Sequence, residues 1–256
     1  MHLVALEFPG IDHIVKFRPI FKIGSLAFNK VSAITVLAML ATVLLFRIAG
    51  ARGALVPKGV QNVAESSVEF IREGIIMQTM GPDGMGFLVY LVALFFFVLF
   101  CNITEVIPVF QMPASARMAI PLMLAVITWL VFNVVGVIKQ GGFGYLKSSL
   151  FPPGVPKALY ILVTPIEFIS TFLVRPFSLA VRLFANELAG HILLVTFAVL
   201  STALLEAGAA LKPIFVLPAV MLVLLTGFEI LVAVLQAYIF TILTAVYIGG
   251  AMHPEH

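Results

Sequence analysis

Six ionisable side chains stand inside two long apolar stretches of this 256-residue chain: Glu167, Arg175, Arg182, Glu187 and His191 in residues 158–205, and Glu229 in residues 213–249. An arginine held at a bilayer centre costs about 2.5–3.5 kcal/mol even on the gentlest insertion scale, so such groups need a reason. Guanidinium is a permanent cation, whereas imidazole and carboxylate can both be tuned to exchange protons near neutral pH. The commonplace role is an interfacial side chain snorkelling to lipid headgroups, and Glu167, Arg175 and Glu187 admit it. Long apolar runs flank Arg182, His191 and Glu229, which argues against it there. Ser178, Arg182, Asn186 and Ala189 follow a four, four, three spacing and share one helical stripe. His191 lies nine residues beyond Arg182, about 180° round the helix. Glu229 and Gln236 are seven apart and share a face. A histidine and a carboxylate on neighbouring helices suit a proton relay; a buried ion pair that merely ties the helices together is the bland alternative.

The elements that must hold these groups follow from composition. Hydrophobic residues make up 62% of the chain and charged residues 11%, against about 25% charged in ordinary soluble domains. So much apolar surface cannot be hidden in a soluble globule of this size, and disorder needs the opposite composition. A polytopic membrane protein remains. The lone Cys101 builds neither a disulfide framework nor a metal site. His191 has no second histidine near it, while His253 and His256 fall in the tail, so no metal and no cofactor is expected. A net charge of +3 is too mild to imply nucleic acid. No phosphate-cradling glycine loop is present and no catalytic site of the chain's own is expected. Residues 1–30 mix Glu7, Asp12, Lys16, Arg18 and Lys22 and read as no cleavable signal peptide.

The expected fold class is all-α integral membrane: five transmembrane helices plus one amphipathic surface helix, the last two helices long and strongly tilted as a hairpin. Residues 1–30 form an extracytoplasmic segment and 31–256 a single membrane domain. Spans are expected over 31–49, 85–101 and 119–138, with the surface helix over 57–79, where Val60, Val63, Val68 and Phe70 alternate with Lys58, Glu65, Glu69 and Arg72. The loop 139–157 carries three lysines among glycines and prolines. As continuous helices, 158–205 and 213–249 measure roughly 70 and 55 Å at 1.5 Å per residue, beyond a core of about 30 Å. Either each breaks into two spans or each lies inclined. Seven Lys/Arg follow the first and third spans (Arg47, Arg52, Lys58, Arg72, Lys139, Lys147, Lys157), against Arg117 and Lys212 opposite. That asymmetry places the first group in the cytoplasm, the N-terminus outside and the C-terminus inside.

Three strings then carry a resemblance. Arg175-Pro-Phe-Ser-Leu-Ala-Val-Arg182-Leu-Phe-Ala-Asn186-Glu187-Leu-Ala-Gly-His191 resembles the signature of subunit a of the F-type ATP synthase. Leu235-Gln236-Ala-Tyr-Ile-Phe-Thr-Ile-Leu-Thr244 does so as well, and Asn102-Ile-Thr-Glu105-Val-Ile-Pro108 is similar to the segment closing that family's second span. The match runs in order from about Phe28 to Ile248. It implies a stator beside a rotating ring of c subunits, with peripheral-stalk b subunits, the rest of the ATP synthase complex and membrane lipids as partners. The family's essential arginine maps onto Arg182. Its outer proton half-channel maps onto Asn186, His191, Glu229 and Gln236, and its cytoplasmic half-channel onto Ser178, Glu167 and Thr171. The resemblance also implies that the last two helices form a nearly horizontal hairpin curved round the ring. His191 and Glu229 are exchanged relative to some members, so one acid and one imidazole persist. Glu167 precedes Arg182 by 15 residues, one more than is usual in the family, which turns it by about 100°.

The implied localisation is a bacterial inner membrane, with a mitochondrial inner membrane as the alternative. A secondary transporter or antiporter with paired intramembrane charges is the competing function, although such folds usually show internal repeats and none is visible. A charge pair at 4 Å attracts by at most about 20 kcal/mol at a dielectric of 4 but by about 4 at a dielectric of 20. Membrane potential supplies only about 2.3 kcal/mol per charge per 100 mV. Arg182 is therefore expected in a hydrated cleft, where a passing acid is not trapped.

Overall fold

A computed structural model describes residues 21–23, 26–52, 54, 56–107, 110, 112–151, 155–156, 159–207 and 212–252. Most of the expected extracytoplasmic segment, together with Pro108, Lys157, Ala158, His253 and His256, lies outside them.

Among the described residues, five helical stretches are long and apolar enough to cross a membrane: Lys30–Ala51, Pro82–Ile103 and Ala119–Gln140, of 22 residues each, then Tyr160–Glu206 and Lys212–Met252, of 47 and 41. Twenty-two residues rise about 33 Å, close to the thickness of a hydrocarbon core. The two longer stretches double that, and as unbroken runs they fit a bilayer only when steeply inclined. Ahead of the first helix, β1 (Phe21–Ile23) pairs antiparallel with β2 (Leu26–Phe28), Phe21 opposite Phe28. This short pairing adds a detail that the helical reading did not contain; charged neighbours mask its apolar character in the sequence.

Helix α1 (Lys30–Arg52) starts where the Asn29 side chain accepts a bond from the Ser32 amide at 3.0 Å, the usual N-cap arrangement. Thr35 and Thr42 turn their hydroxyls back onto Val31 and Ala38 carbonyls at 2.9 Å, so neither presents an unpaired donor to an apolar surrounding. Helix α2 (Val60–Ile71) buries Ala64 and Ile71, while Arg72 reaches Glu69 at 2.7 Å and Glu73 at 3.0 Å on the exposed side. Its end widens to a π-turn over Arg72–Ile76, which buries Ile75 and Ile76. The amphipathic pattern is thus spent on two surfaces, as the alternation requires.

Helices α3 (Leu88–Ile103) and α4 (Ala119–Gln140) pack with the last two helices round Leu91, Val98, Phe132, Leu183 and Phe240. The loop expected over 139–157 holds a helix instead, α5 (Gly142–Leu150). Gly141 makes the reversal at φ 76, a left-handed conformation that glycine tolerates. The Tyr145 ring then fills the space left by the absent side chain of Gly136, and its hydroxyl donates to Asn133 Oδ1 at 3.1 Å. Tertiary packing, rather than local propensity, makes this helix.

Helix α6 (Tyr160–Ile169) runs through a π-turn over Ser170–Val174 into α7 (Arg175–Glu206). Pro165 and Pro176 lack amide protons, yet the run does not break. After a 3-10 turn over Lys212–Phe215, α8 (Val216–Met252) returns antiparallel to α7. Gln140 Nε2 donates to the Ala251 carbonyl at 2.7 Å, tying the ends of α4 and α8.

Candidate functional site

The register of α7 against α8 is written by three side-chain pairs. The Arg175 guanidinium lies 5.5 Å from the centre of the Tyr247 ring. Asn186 Nδ2 donates to Gln236 Oε1 at 3.0 Å. Gly190 faces the Glu229 carboxylate so closely that an added Cβ would stand 2.5 Å from Oε1. The residue numbers rise on one helix as they fall on the other, so an antiparallel seam runs from Arg175 to Gly190.

Two polar regions terminate that seam. Beyond its α7 midpoint, His191 Nδ1 sits 3.5 Å from Glu105 Oε1, with both side chains buried. Glu187 is 2% exposed, and Glu105 and Glu229 both lie within its electrostatic reach. Glu105 Oε1, Glu187 Oε1 and Gln236 Nε2 are buried without a hydrogen-bond partner. Nearby, Ser115 Oγ donates to Asn102 Oδ1, and Thr104 Oγ1 donates to the Cys101 and Met112 carbonyls at 2.8 and 3.1 Å. These bonds fix the turn that delivers Glu105 from the end of α3. Glu229 and Gln236 do share the face of α8 turned to α7, and both are buried.

The other region is a cavity of about 860 Å³ lined from α4, α5, α6, the start of α7 and the end of α8. Glu167, Thr171 and Arg175 line it with Tyr145 and Tyr247. Thr171 is buried, while Glu167 and Arg175 are half-buried. The Tyr145 hydroxyl is held above the ordinary phenol range, chiefly by burial, with its bond to Ser149 and the Arg175 charge opposing. Glu167, despite its displaced spacing, faces this cavity rather than lipid.

Arg182 belongs to neither region. It is exposed, as are Asn186 and Ala189 on the same stripe, with Ser178 half-buried. Among the described residues it makes no hydrogen bond or ion pair. It stands seven residues from Arg175 and nine from His191, roughly 10 and 14 Å along the axis. Apolar Phe228, Leu231 and Leu235 of α8 are exposed as well.

The geometry amends the sequence reading at two places. Glu187, which admitted an interfacial role, is buried because it follows Asn186 by 100° of helix and so turns away from the exposed stripe, towards the side of Glu105. In the sequence Glu105 stands only within a motif that closes the second span; in the fold it is the direct neighbour of His191, with Glu229 against the adjacent Gly190. A carboxylate just after an aromatic span was the available signal, but its partner lies 86 residues away. Among the described residues no three His, Cys, Asp or Glu are disposed to hold a metal ion.

An integral membrane protein with titratable groups buried between its helices is what this fold and these residues define. Residues 31–249 match the family model described as ATP synthase A chain. The chain is 44% identical to ATP synthase subunit a of Frankia alni over 241 residues, covering 91% of this chain and 82% of that one. With the Rhodococcus erythropolis subunit a it shares 40% over 257 residues, covering 99% and 94%. With that of Chelativorans sp. it shares 43% over 254 residues, covering 99% and 95%. The chain belongs to the ATP synthase A chain family, and as such is a membrane component of the F-type ATP synthase complex.

Proposed function

We propose that this chain is the stator that feeds protons to and from a ring of c subunits, with its two polar regions as the two half-channels. The carrying observation is the isolation of Arg182, an exposed cation on an apolar helix face between those regions. A cation so placed needs a counter-charge, and no carboxylate of this chain provides one among the described residues. The exposed stripe and the apolar face of α8 suit a curved surface of small hydrophobic hairpins whose membrane carboxylates pass Arg182 in turn.

In this reading the Glu105, Glu187, His191, Glu229, Asn186 and Gln236 group lines the outer half-channel. Glu167, Thr171, Arg175 and Ser178 serve the cytoplasmic one. A proton arriving from outside neutralises a ring carboxylate, which then turns into lipid; after almost a revolution it leaves by the opposite path. Arg182 stays charged throughout because guanidinium does not deprotonate in proteins. It favours the ionised form of the acid beside it and bars a direct proton path between the channels. The cycle asks for a weakened pairing: at a dielectric of about 20 the attraction at 4 Å is about 4 kcal/mol, within reach of a few charges driven by the membrane potential. Nucleotide chemistry belongs to partner subunits, peripheral-stalk b subunits hold the stator, and the membrane is a bacterial inner membrane with the basic loops in the cytoplasm.

The test is ATP-driven proton pumping in inverted vesicles bearing Arg182→Ala or Arg182→Lys. Both are expected to fall to background while the complex still assembles. Normal pumping by Arg182→Ala would remove the assignment.

A further inference from the structure

The same cavity holds more positive charge than a proton path requires. Lys139 at the end of α4 and Lys147 on α5 join Arg175 on its walls, against one carboxylate, Glu167. Both lysines are exposed, and neither makes an ion pair among the described residues. The buried Thr171 marks the floor and the lysines the rim. Ser148 and Ser149 line it as well. Ser148 donates to Gln140 Oε1 at 2.6 Å, which in turn anchors α8 through its amide, so the wall is built rather than loose. Apolar Phe132 and Phe151 line the cavity too. Helix α6 is tied to the end of α5 by the Thr164 hydroxyl, which donates to the Leu150 carbonyl at 3.2 Å, and its Ile161 and Leu162 are exposed at 85% and 64%, a surface suited to acyl chains.

We propose that this cavity seats the phosphate of an anionic glycerophospholipid, with Lys139 and Lys147 holding the headgroup and α6 bordering its chains. Basic pockets between membrane helices on the cytoplasmic side select such headgroups, each cation contributing in proportion to its proximity. A free phosphate shares the charge chemistry but has no use for the apolar wall. The inference does not rest on proton conduction: the lipid phosphate would sit at the rim, and a failure of the proton reading leaves the cations and the wall in place.

The test uses the whole ATP synthase complex reconstituted in vesicles of equal parts phosphatidylcholine and phosphatidylglycerol, doped with a photoactivatable phosphatidylglycerol. Labelled peptides are expected within residues 139–169. Unlabelled phosphatidylglycerol should compete, and inorganic phosphate should not. Lys139→Gln/Lys147→Gln should require roughly thirtyfold more lipid for the same labelling, from two lost cation contacts. Lys139→Arg/Lys147→Arg should restore it, which separates lost charge from lost folding. Labelling that is unchanged in the glutamine variant, that maps elsewhere, or that inorganic phosphate abolishes equally well would overturn the lipid site.

Discussion

Gly190 and Glu229 touch across the α7–α8 seam, the bare α-carbon of one serving as the seat of the other's carboxylate. An alanine there would place its Cβ 2.5 Å from Glu229 Oε1 and 2.6 Å from Cδ. Because a carboxylate is the far end of a flexible side chain, it can swing aside at little cost to folding. Alanine also favours helix over glycine by about 1 kcal/mol.

Gly190→Ala should therefore separate stability from function. The complex is expected to assemble in normal amounts, with thermal stability unchanged or slightly higher. Proton flux through the membrane sector should fall by roughly ten- to hundredfold, the usual result of displacing a reacting group by about 1 Å. Quantifying assembled complex by immunoblot beside fluorescence-quench pumping checks both halves. Wild-type pumping would show that the position of Glu229 is immaterial.

Glu105 and His191 make the second case. Their 3.5 Å approach joins the turn after α3 to the middle of α7, and Glu105 Oε1 has no hydrogen-bond partner. If the two pass a proton as a unit, Glu105→Gln and His191→Ala should each slow flux, and the double variant should be scarcely slower than the worse single one. Independent sites would multiply their effects instead. Initial rates of ATP-driven acidification in the three variants decide between these outcomes.

Helix existence and length were legible because apolar runs of bilayer length leave few alternatives. The stripe through Ser178, Arg182 and Asn186 followed from periodicity alone. Helix α5 did not, since Gly142 and Gly144 depress helix propensity and the compensation comes from Tyr145 packing into Gly136 on another helix. The burial of Glu187 was hidden for a related reason. Its helix carries polar groups on opposite faces, and only the antiparallel register tells which face meets α8 and which remains exposed. Spacing within one helix cannot supply that register; the pairs Arg175–Tyr247 and Asn186–Gln236 do.

Gly249 offers the contrast to Gly190. A Cβ there would meet the Thr79 carbonyl oxygen, a backbone atom, at 2.7 Å, with Met80 Cγ at 3.1 Å. Backbone cannot swing away, so Gly249→Ala should push the end of α8 off the end of the surface helix. Overpacking of this kind costs typically about 1–3 kcal/mol. The expected result is less assembled complex and earlier thermal aggregation in detergent. Pumping per remaining complex should be reduced far less than in Gly190→Ala.

The Asn186–Gln236 bond sets the single change apart from the double one in stability. Gln236 is buried, its Nε2 already lacks a partner, and its Oε1 relies on Asn186 Nδ2 at 3.0 Å. Asn186→Leu therefore leaves a whole buried amide unpaired, at a cost of about 1–3 kcal/mol. Replacing both residues by leucine removes the unpaired groups together and leaves an apolar helix contact, which is often nearly neutral. Thermal aggregation of the detergent-solubilised protein should thus begin earlier in Asn186→Leu than in Asn186→Leu/Gln236→Leu. Proton flux should be impaired in both, because the polar lining is lost either way. Stability that falls further in the double variant would mean that Gln236 draws its support from elsewhere in the helix interface.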